Sequence, residues 1–448
     1  GDFEGSLALA RQALKPAAQG HEDIVVARAL NLIAHVRGIK QLQFKEMLEL
    51  RPYWETIVER HGGDREQVEM LSILGSILDD AEQYDEALRV LERARTLADK
   101  TFGPDSLLLT GVLNSLGVLY GNMGRFEEAR ATHQRVLAIR NKMLGAEHPF
   151  VGTTLNNIGL VFYDEGRHTE SFDYLERAIA VRRKALGKEH FEVAVALFNA
   201  GRNLWYLARY ADAQAYFDEA RAIFEKTRGR SEVYIGNYHI GTADLLIDQG
   251  KPAEAREHFL KARAIFERTI PNSIFEVDRG LGVAFFEQGR YAEAKAVQQP
   301  LVEKIFKKQG DDDQFLAARR VELARTLMRL GDLDTAEGLL EKARAAMEKE
   351  VGPKASQVSF PLFAQGELHL LRKQLALAIT TLESALLLAP PKLRPHVELA
   401  LAQALQQAGK DRERAGTLAR EARDFYKRIG NQPKAAGAER WVAGNAGP

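Results

Sequence analysis

At 448 residues the chain exceeds what one ordinary hydrophobic core organises, so either several domains or one extended repeat array is expected. With 45% apolar and 28% charged residues it reads as folded throughout, and 62 Lys plus Arg against 62 Asp plus Glu leave no net field to draw in nucleic acid or an anionic membrane. The absence of cysteine removes disulfides, thiolate metal sites and cysteine nucleophiles and fits a reducing, cytoplasmic interior, while apolar stretches such as 384–391 fall far short of the roughly 20 residues a membrane helix needs.

Gly1-Asp2-Phe3, without an initiator methionine or signal pattern, is followed by small residues at Ser6, Ala10 and Ala13. This reads as the second helix of a hairpin whose first helix lies upstream, so the chain is expected to be a fragment. Residues 22–60 form a poorer unit, in which Arg51-Pro52-Tyr53-Trp54 is expected to interrupt or kink the second helix. From there the spacing becomes regular. Leu74-Gly75, Leu116-Gly117, Ile158-Gly159 and Ala200-Gly201 recur every 42 residues, Ala243 continues the series, and Gly282, Ala324 and Gly366 follow after one 39-residue step, with a degenerate unit near Ala402. Three residues past each small residue stands a large one (Leu78, Tyr120, Phe162, Leu204), then often a turn glycine (Gly124, Gly166, Gly250, Gly289, Gly331). The next helix brings a second small residue at a fixed offset (Ala87, Ala129, Ser171, Ala213, Ala255, Ala294, Ala336, Ala378). Small side chains are needed where two helices cross with their backbones close, and large ones fill the groove beside the crossing. Residues 433–442 read as a single solvating helix pinned by Trp441, as a repeat array needs at its end.

This pattern resembles the tetratricopeptide repeat, a 34-residue helical hairpin with L-G and A-x3-F positions. Gly117 to Ala129 spans 12 residues as in the short repeat, whereas Ala129 to Gly159 spans 30, so the extra eight residues lengthen the second helix and its connection. With Leu144-Gly145-Ala146-Glu147-His148-Pro149 and Leu186-Gly187-Lys188-Glu189-His190 at that connection, the repeat is similar to the kinesin light chain type, which is abundant in bacterial signalling proteins. The resemblance implies an all-α fold, a right-handed superhelical solenoid of stacked antiparallel hairpins. It divides the chain into irregular helices at 1–60, regular hairpins at 61–270, further hairpins at 271–425 and a cap at 426–448. Leu399 to Leu405, Gly409-Lys410-Asp411-Arg412 and Glu439-Arg440-Trp441 are similar to the end of the repeat region in large bacterial serine/threonine kinases, although the H-R-D and D-F-G signatures of the kinase domain are absent.

No feature points to catalysis or a cofactor. The pairs Gly187-Lys188, Gly250-Lys251 and Gly409-Lys410 lack the upstream glycine and following hydroxyl of a phosphate loop. No two of the 11 histidines stand three or four apart, His148 and His190 read as turn caps, and Asp311-Asp312-Asp313 lacks the glycine and distant glutamate of a calcium loop. The chain is therefore read as a non-enzymatic scaffold that binds a protein or extended peptide, and neither nucleic acid nor membrane. Alternatives are a docking segment of a larger signalling enzyme, with a catalytic domain upstream, and a self-associating module.

In tetratricopeptide arrays the first helices line the concave side. Positions there that point away from the partner helix collect Asn114, Asn156, Asn157, Tyr163, Asn199, Arg202, Trp205, Tyr206 and Asn237, with Asp164, Asp244 and Asp248 beside them and Arg279, Arg325 and Arg329 continuing the face. Amides could bracket an extended peptide backbone and the two aromatics could anchor it; equally, the amides could tie hairpin to hairpin and the rings could pack on neighbours. The arginines could receive an acidic ligand, but flanked by Glu287 and Glu322 they read rather as a solvated salt-bridge lattice. Lysines that would complete a carboxylate clamp are missing from the matching positions, which disfavours a chaperone tail.

Overall fold

The computed structural model describes residues 3–19, 22–40, 43–227, 232–270, 274–309 and 314–445, and the Asp311–Asp313 run lies outside them. Among the described residues the ordered elements are helices, with no strand. The chain forms two compact units, Gly1–Lys188 and Glu189–Pro448.

In the first unit α1 (Phe3–Gln19) packs on α2 (Asp23–Ala34), which continues as a π-helical stretch, His35–Lys40, before α3 (Phe44–His61). Three regular hairpins follow: α4 (Asp64–Asp80) with α5 (Tyr84–Phe102), α6 (Leu107–Asn122) with α7 (Phe126–Leu144), and α8 (Pro149–Asp164) with α9 (His168–Leu186). The second unit continues with α10 (Phe191–Tyr206) and α11 (Tyr210–Lys226), α12 (Glu232–Asp248) and α13 (Pro252–Thr269), α14 (Phe275–Glu287) and α15 (Tyr291–Gln309), then α16 (Gln314–Arg329) and α17 (Leu333–Val351). It ends with α18 (Ser359–Leu371) and α19 (Leu375–Leu388), α20 (Arg394–Gln407) and α21 (Arg412–Arg428), and a last helix, α22 (Gln432–Asn445), against α21.

The cadence residues sit where the helices of a hairpin cross. The second-helix small residues Ala87, Ala129, Ser171, Ala213, Ala255, Ala294, Ala336 and Ala378 are all fully buried. A β-carbon on Gly159 would lie 2.9 Å from Leu175 Cγ and 3.2 Å from the Ser171 carbonyl oxygen, and one on Gly201 would lie 2.7 Å from the Phe217 ring. Each cadence glycine thus rests on the residue 16 positions later, a pairing that the sequence reading did not isolate. That position is held by Leu91, His133, Leu175, Phe217, Phe259, Gln298, Leu340 and Leu382 in successive units. Because its residue type varies from leucine to histidine and glutamine, it does not stand out as a repeat letter.

Between the helices of a hairpin the chain turns through a left-handed residue. Gly124, Gly166, Gly250, Gly289 and Gly331 have φ between +73° and +87°, and where the glycine is missing Glu82, Ala208 and Lys373 take the same conformation at φ 61°, 58° and 58°. The helices are 19 residues long in α5, α7 and α9 and stop at Gly103, Gly145 and Gly187, the lengthening inferred from the 42-residue period. His148 and His190 cap the helices that follow, each ring Nδ1 accepting from the backbone N–H two residues on, at 3.2 Å.

The 22–60 hairpin is irregular in its first helix rather than its second. The α3 helix runs on through Pro52, which stands on its exposed face, where the carbonyl of Leu48 left without its N–H partner can meet water. Buried Trp54 ties the helix down by donating to Asn31 Oδ1 at 2.9 Å, while Asn31 donates to the Glu66 carbonyl at 2.9 Å. The wide turn falls instead at His35–Lys40, in which Gly38 lies against Ile77 of α4.

His133 departs from the repeat in a way that carries a stability cost. Its ring fills the pocket under Gly117 that leucine, phenylalanine or, in one repeat, Gln298 fills elsewhere, is 1% exposed, and has no hydrogen-bond partner on either nitrogen. Burial, and then the charge of Arg140, lower its pKa to about 4. Since the unfolded chain takes up this proton near pH 6.5 and the folded chain only near 4, the contribution of the neutral ring is complete above pH 6.5 and is lost as pH falls through that window. His133→Leu is expected to stabilise the protein by about 1–2 kcal/mol at neutral pH, by removing the unsatisfied ring, and to flatten the fall in urea midpoint between pH 7 and 5. His239, also lowered to about 4 by burial and by His258, would keep its share. An unchanged pH dependence would show that His133 is solvated in solution.

Candidate functional site

Successive first helices pack on one another, α2 on α4, α4 on α6 and α6 on α8 in the first unit, and α12 on α14, α14 on α16 and α16 on α18 in the second. Successive second helices do not meet to this extent among the described residues, so the first helices form the inner face of each unit.

Polar side chains on that face bond from hairpin to hairpin at the repeat distance. Asn157 Nδ2 donates to Asn114 Oδ1 at 2.9 Å, and Asn122 donates to both carboxylate oxygens of Asp79 at 3.0 and 3.1 Å. Ser76 and Ser115 hydroxyls meet at 3.1 Å. Of the asparagines named from the sequence, Asn114 and Asn157 are half-buried, while Asn156 is only 5% exposed, its Nδ2 lying 3.5 Å from Asn157 Oδ1. Tyr163 is half-buried with its ring edge-on to His168 at 5.3 Å. In the first unit, then, Asn114, Asn122 and Asn157 find their partners on the neighbouring hairpin.

In the second unit Asn199, Arg202 and Asn237 are half-buried. Asn203, one turn past Asn199, is fully buried and donates to the Asn199 carbonyl at 3.0 Å. Trp205 and Tyr206 hold each other edge-to-face at 4.7 Å, and Trp205 Nε1 donates to Asp248 Oδ2 at 2.7 Å. The three arginines pair with carboxylates. Arg279 Nη2 donates to both oxygens of Asp244 at 2.9 Å and its Nε to Glu276 at 2.8 Å; Arg325 Nε donates to Glu367 at 2.8 Å, and Arg329 lies 3.5 Å from the same carboxylate. Arg325 also lies over the rings of Phe286 and Phe363, 5.2 Å from each.

The Arg279–Asp244 pair departs from the solvated lattice expected of the three arginines, because the two side chains keep only 14% and 11% of their surface, whereas Arg329 remains 40% exposed. Burial alone would lower the Arg279 pKa, yet Asp244 and Glu276 outweigh it and hold the guanidinium well above its usual range. Glu322 is pushed up by burial, which Arg319 and Arg279 only partly offset.

A feature that the sequence reading missed lies in the first unit. Leu32 and His35, Glu69 and Ile73, and Leu108 and Gly111 line a cleft of about 310 Å³ formed by α2 with its π turn, α4 and α6. Leu32 remains 41% exposed, and nothing stands within 4 Å of where a Gly111 β-carbon would be. Glycine in an exposed helix interior costs about 1 kcal/mol relative to alanine. The cadence glycines answer to a crossing helix, whereas Gly111 stands outside the cadence and leaves open backbone at the cleft. Its signal in the sequence was a helical glycine without a place in the repeat.

Stacked α-hairpins with a shared inner face of first helices define a helical-repeat scaffold. The tetratricopeptide repeat profile matches residues 66–142, 109–167, 150–226 and 315–389, and a second profile of the same name matches 240–300. The chain belongs to the tetratricopeptide repeat family. No curated protein matches it. Among solved structures it is similar to a Rap protein complexed with competence and sporulation factor, at 14% identity and TM-score 0.54 over 85% of this chain and 98% of that one. It is also similar to a kinesin light chain-like repeat protein of Podosopora anserina (22% identity, TM-score 0.26, 53% and 94% covered) and to BtubC of P. vanneervenii (17%, 0.35, 65% and 92%). No helix among the described residues is long and apolar enough to cross a membrane.

Proposed function

We propose that the chain is a non-catalytic scaffold that captures an extended peptide or unfolded protein segment in the first-helix cleft of its first unit. The open backbone at Gly111, flanked by Leu108, Ile73 and part-exposed Leu32, carries this reading. It offers apolar surface at a place where the fold itself gains nothing from glycine. Arg28 and Glu69 at the same cleft supply charges of both signs for orienting a backbone or side chain. The Rap protein named above was solved with a bound factor, so an array of this fold can seat a partner. The Asn114–Asn157 pair supports a different role for the amides from that of peptide brackets, namely holding neighbouring hairpins in register.

The test is Gly111→Arg. With open space above the β-carbon, the substitution gains helix propensity of up to about 1 kcal/mol while filling the cleft. Against a peptide selected from a random display library on the native chain, the variant is expected to bind at least about ten-fold more weakly, with melting unchanged or raised. Equal affinity in the variant would remove the cleft as the binding site.

A further inference from the structure

Asp248 stands at the end of α12, just before the Gly250 turn, where a carboxylate ordinarily faces water. Three donors from separate parts of the second unit converge on it. Its Oδ2 accepts from Trp205 Nε1 at 2.7 Å and from the Tyr210 hydroxyl at 3.2 Å, and Lys392 Nζ lies 3.1 Å away. The same ammonium sits 3.4 Å from the centroid of the Trp205 ring and 5.9 Å from that of Tyr206. An indole face below and a carboxylate beside it are the two groups that hold a primary ammonium most strongly, the ring through its quadrupole and the carboxylate through its charge.

The walls of this seat belong together and its occupant does not. Trp205 and Tyr206 end α10, Tyr210 opens α11 and Asp248 ends α12, and Trp205 and Tyr210 orient the carboxylate without help from the lysine. Lys392 arrives from the loop before α20, more than 140 positions later. Two further ties bring the end of the chain to the same place: Asn431 Nδ2 donates to the Asp248 carbonyl at 2.7 Å, and Lys434 Nζ lies 3.3 Å from Glu287. Gly250 leaves room for this approach, since a β-carbon there would lie 2.7 Å from Asn431 Oδ1. The Lys392 and Asp248 side chains remain 23% and 14% exposed, so the ammonium has a path to solvent.

We propose that Trp205, Tyr206 and Asp248 form a lysine-binding site that the chain fills with its own Lys392, and from which a lysine side chain of a protein partner displaces it. Tethering makes Lys392 a competitor at an effective concentration on the order of millimolar, so the occupied site answers only to a partner that brings additional contacts. The site extends the scaffold reading to the second unit, and its chemistry is independent of the Gly111 cleft.

The experiment follows the indole N–H resonance of Trp205 in the full chain, assigned with Trp205→Phe, during titration with N-acetyl-lysine methylamide. In Lys392→Met, which removes the competing ammonium, the resonance is expected to shift saturably with the lysine derivative and not with its norleucine analogue. In the native chain the same shift should require at least about ten-fold more ligand. Adding Asp248→Asn to Lys392→Met should abolish the response. If Lys392→Met loses helical circular dichroism, Lys392→Gln replaces it. No lysine-specific response in a folded Lys392 variant would overturn the site, and native and variant chains responding at the same concentration would overturn its occupation by Lys392. Neither outcome bears on capture at Gly111, so the two proposals fail separately.

Discussion

Arg279→Leu is expected to lower stability by about 3–5 kcal/mol, seen as a fall in urea midpoint by far-ultraviolet circular dichroism. The cost does not lie mainly in the lost attraction. It lies in Asp244, left at 11% side-chain exposure with both oxygens deprived of the guanidinium that now lies 2.9 Å from each. Glu276, paired with the same arginine at 2.8 Å, would lose its partner too, but at 53% exposure water can replace it. Replacing both buried partners, in Asp244→Leu with Arg279→Leu, should recover most of the loss, because apolar groups of similar size are often neutral or better where a buried ion pair stood. An arginine held ready for an acidic ligand would behave otherwise. Its removal would cost under about 1 kcal/mol, as for an exposed pair, and the double substitution would gain nothing over the single.

Much of the fold could be read from residue size alone. Glycine or alanine at one position of each first helix and alanine or serine 12 residues later is a repeated geometric demand, and in the structure those second-helix residues are fully buried. The longer second helices and their glycine stops at Gly103, Gly145 and Gly187 followed from the period in the same way. Pro52 misled for a physical reason: a proline breaks a helix when the freed carbonyl is buried, and the sequence gives no account of which face it is on. The turn residues Glu82, Ala208 and Lys373 hide their left-handed conformation because their type does not ask for it.

The polar inner face was legible as a place but not as a set of contacts. An asparagine amide donates and accepts equally well toward a neighbouring hairpin or a bound peptide, so its presence names the face and leaves the partner open. Asn157 turned to Asn114, and Trp205 to Asp248. Ion pairing of Arg279 and Arg325 was foreseeable from the balance of charge around them. The burial of the Arg279–Asp244 pair was not, since it depends on how closely consecutive first helices approach. Gly111 shows the converse case, a residue passed over because it did not belong to the repeat.

Gly159→Leu tests the packing rule from which everything else is built. The Gly159 β-carbon would come within 2.9 Å of Leu175 Cγ and 3.2 Å of a backbone carbonyl, so the leucine must push α8 away from α9 at a cost of about 3 kcal/mol or more. Because the clash is chiefly with one side chain, the decisive measurement is the double-mutant cycle in urea between Gly159→Leu and Leu175→Gly. If small and large residues 16 apart are the unit of packing, exchanging them restores at least half of what the two single substitutions lose. Losses that simply add would mean that glycine and leucine at these positions do not answer to one another, and the account of the array would be wrong.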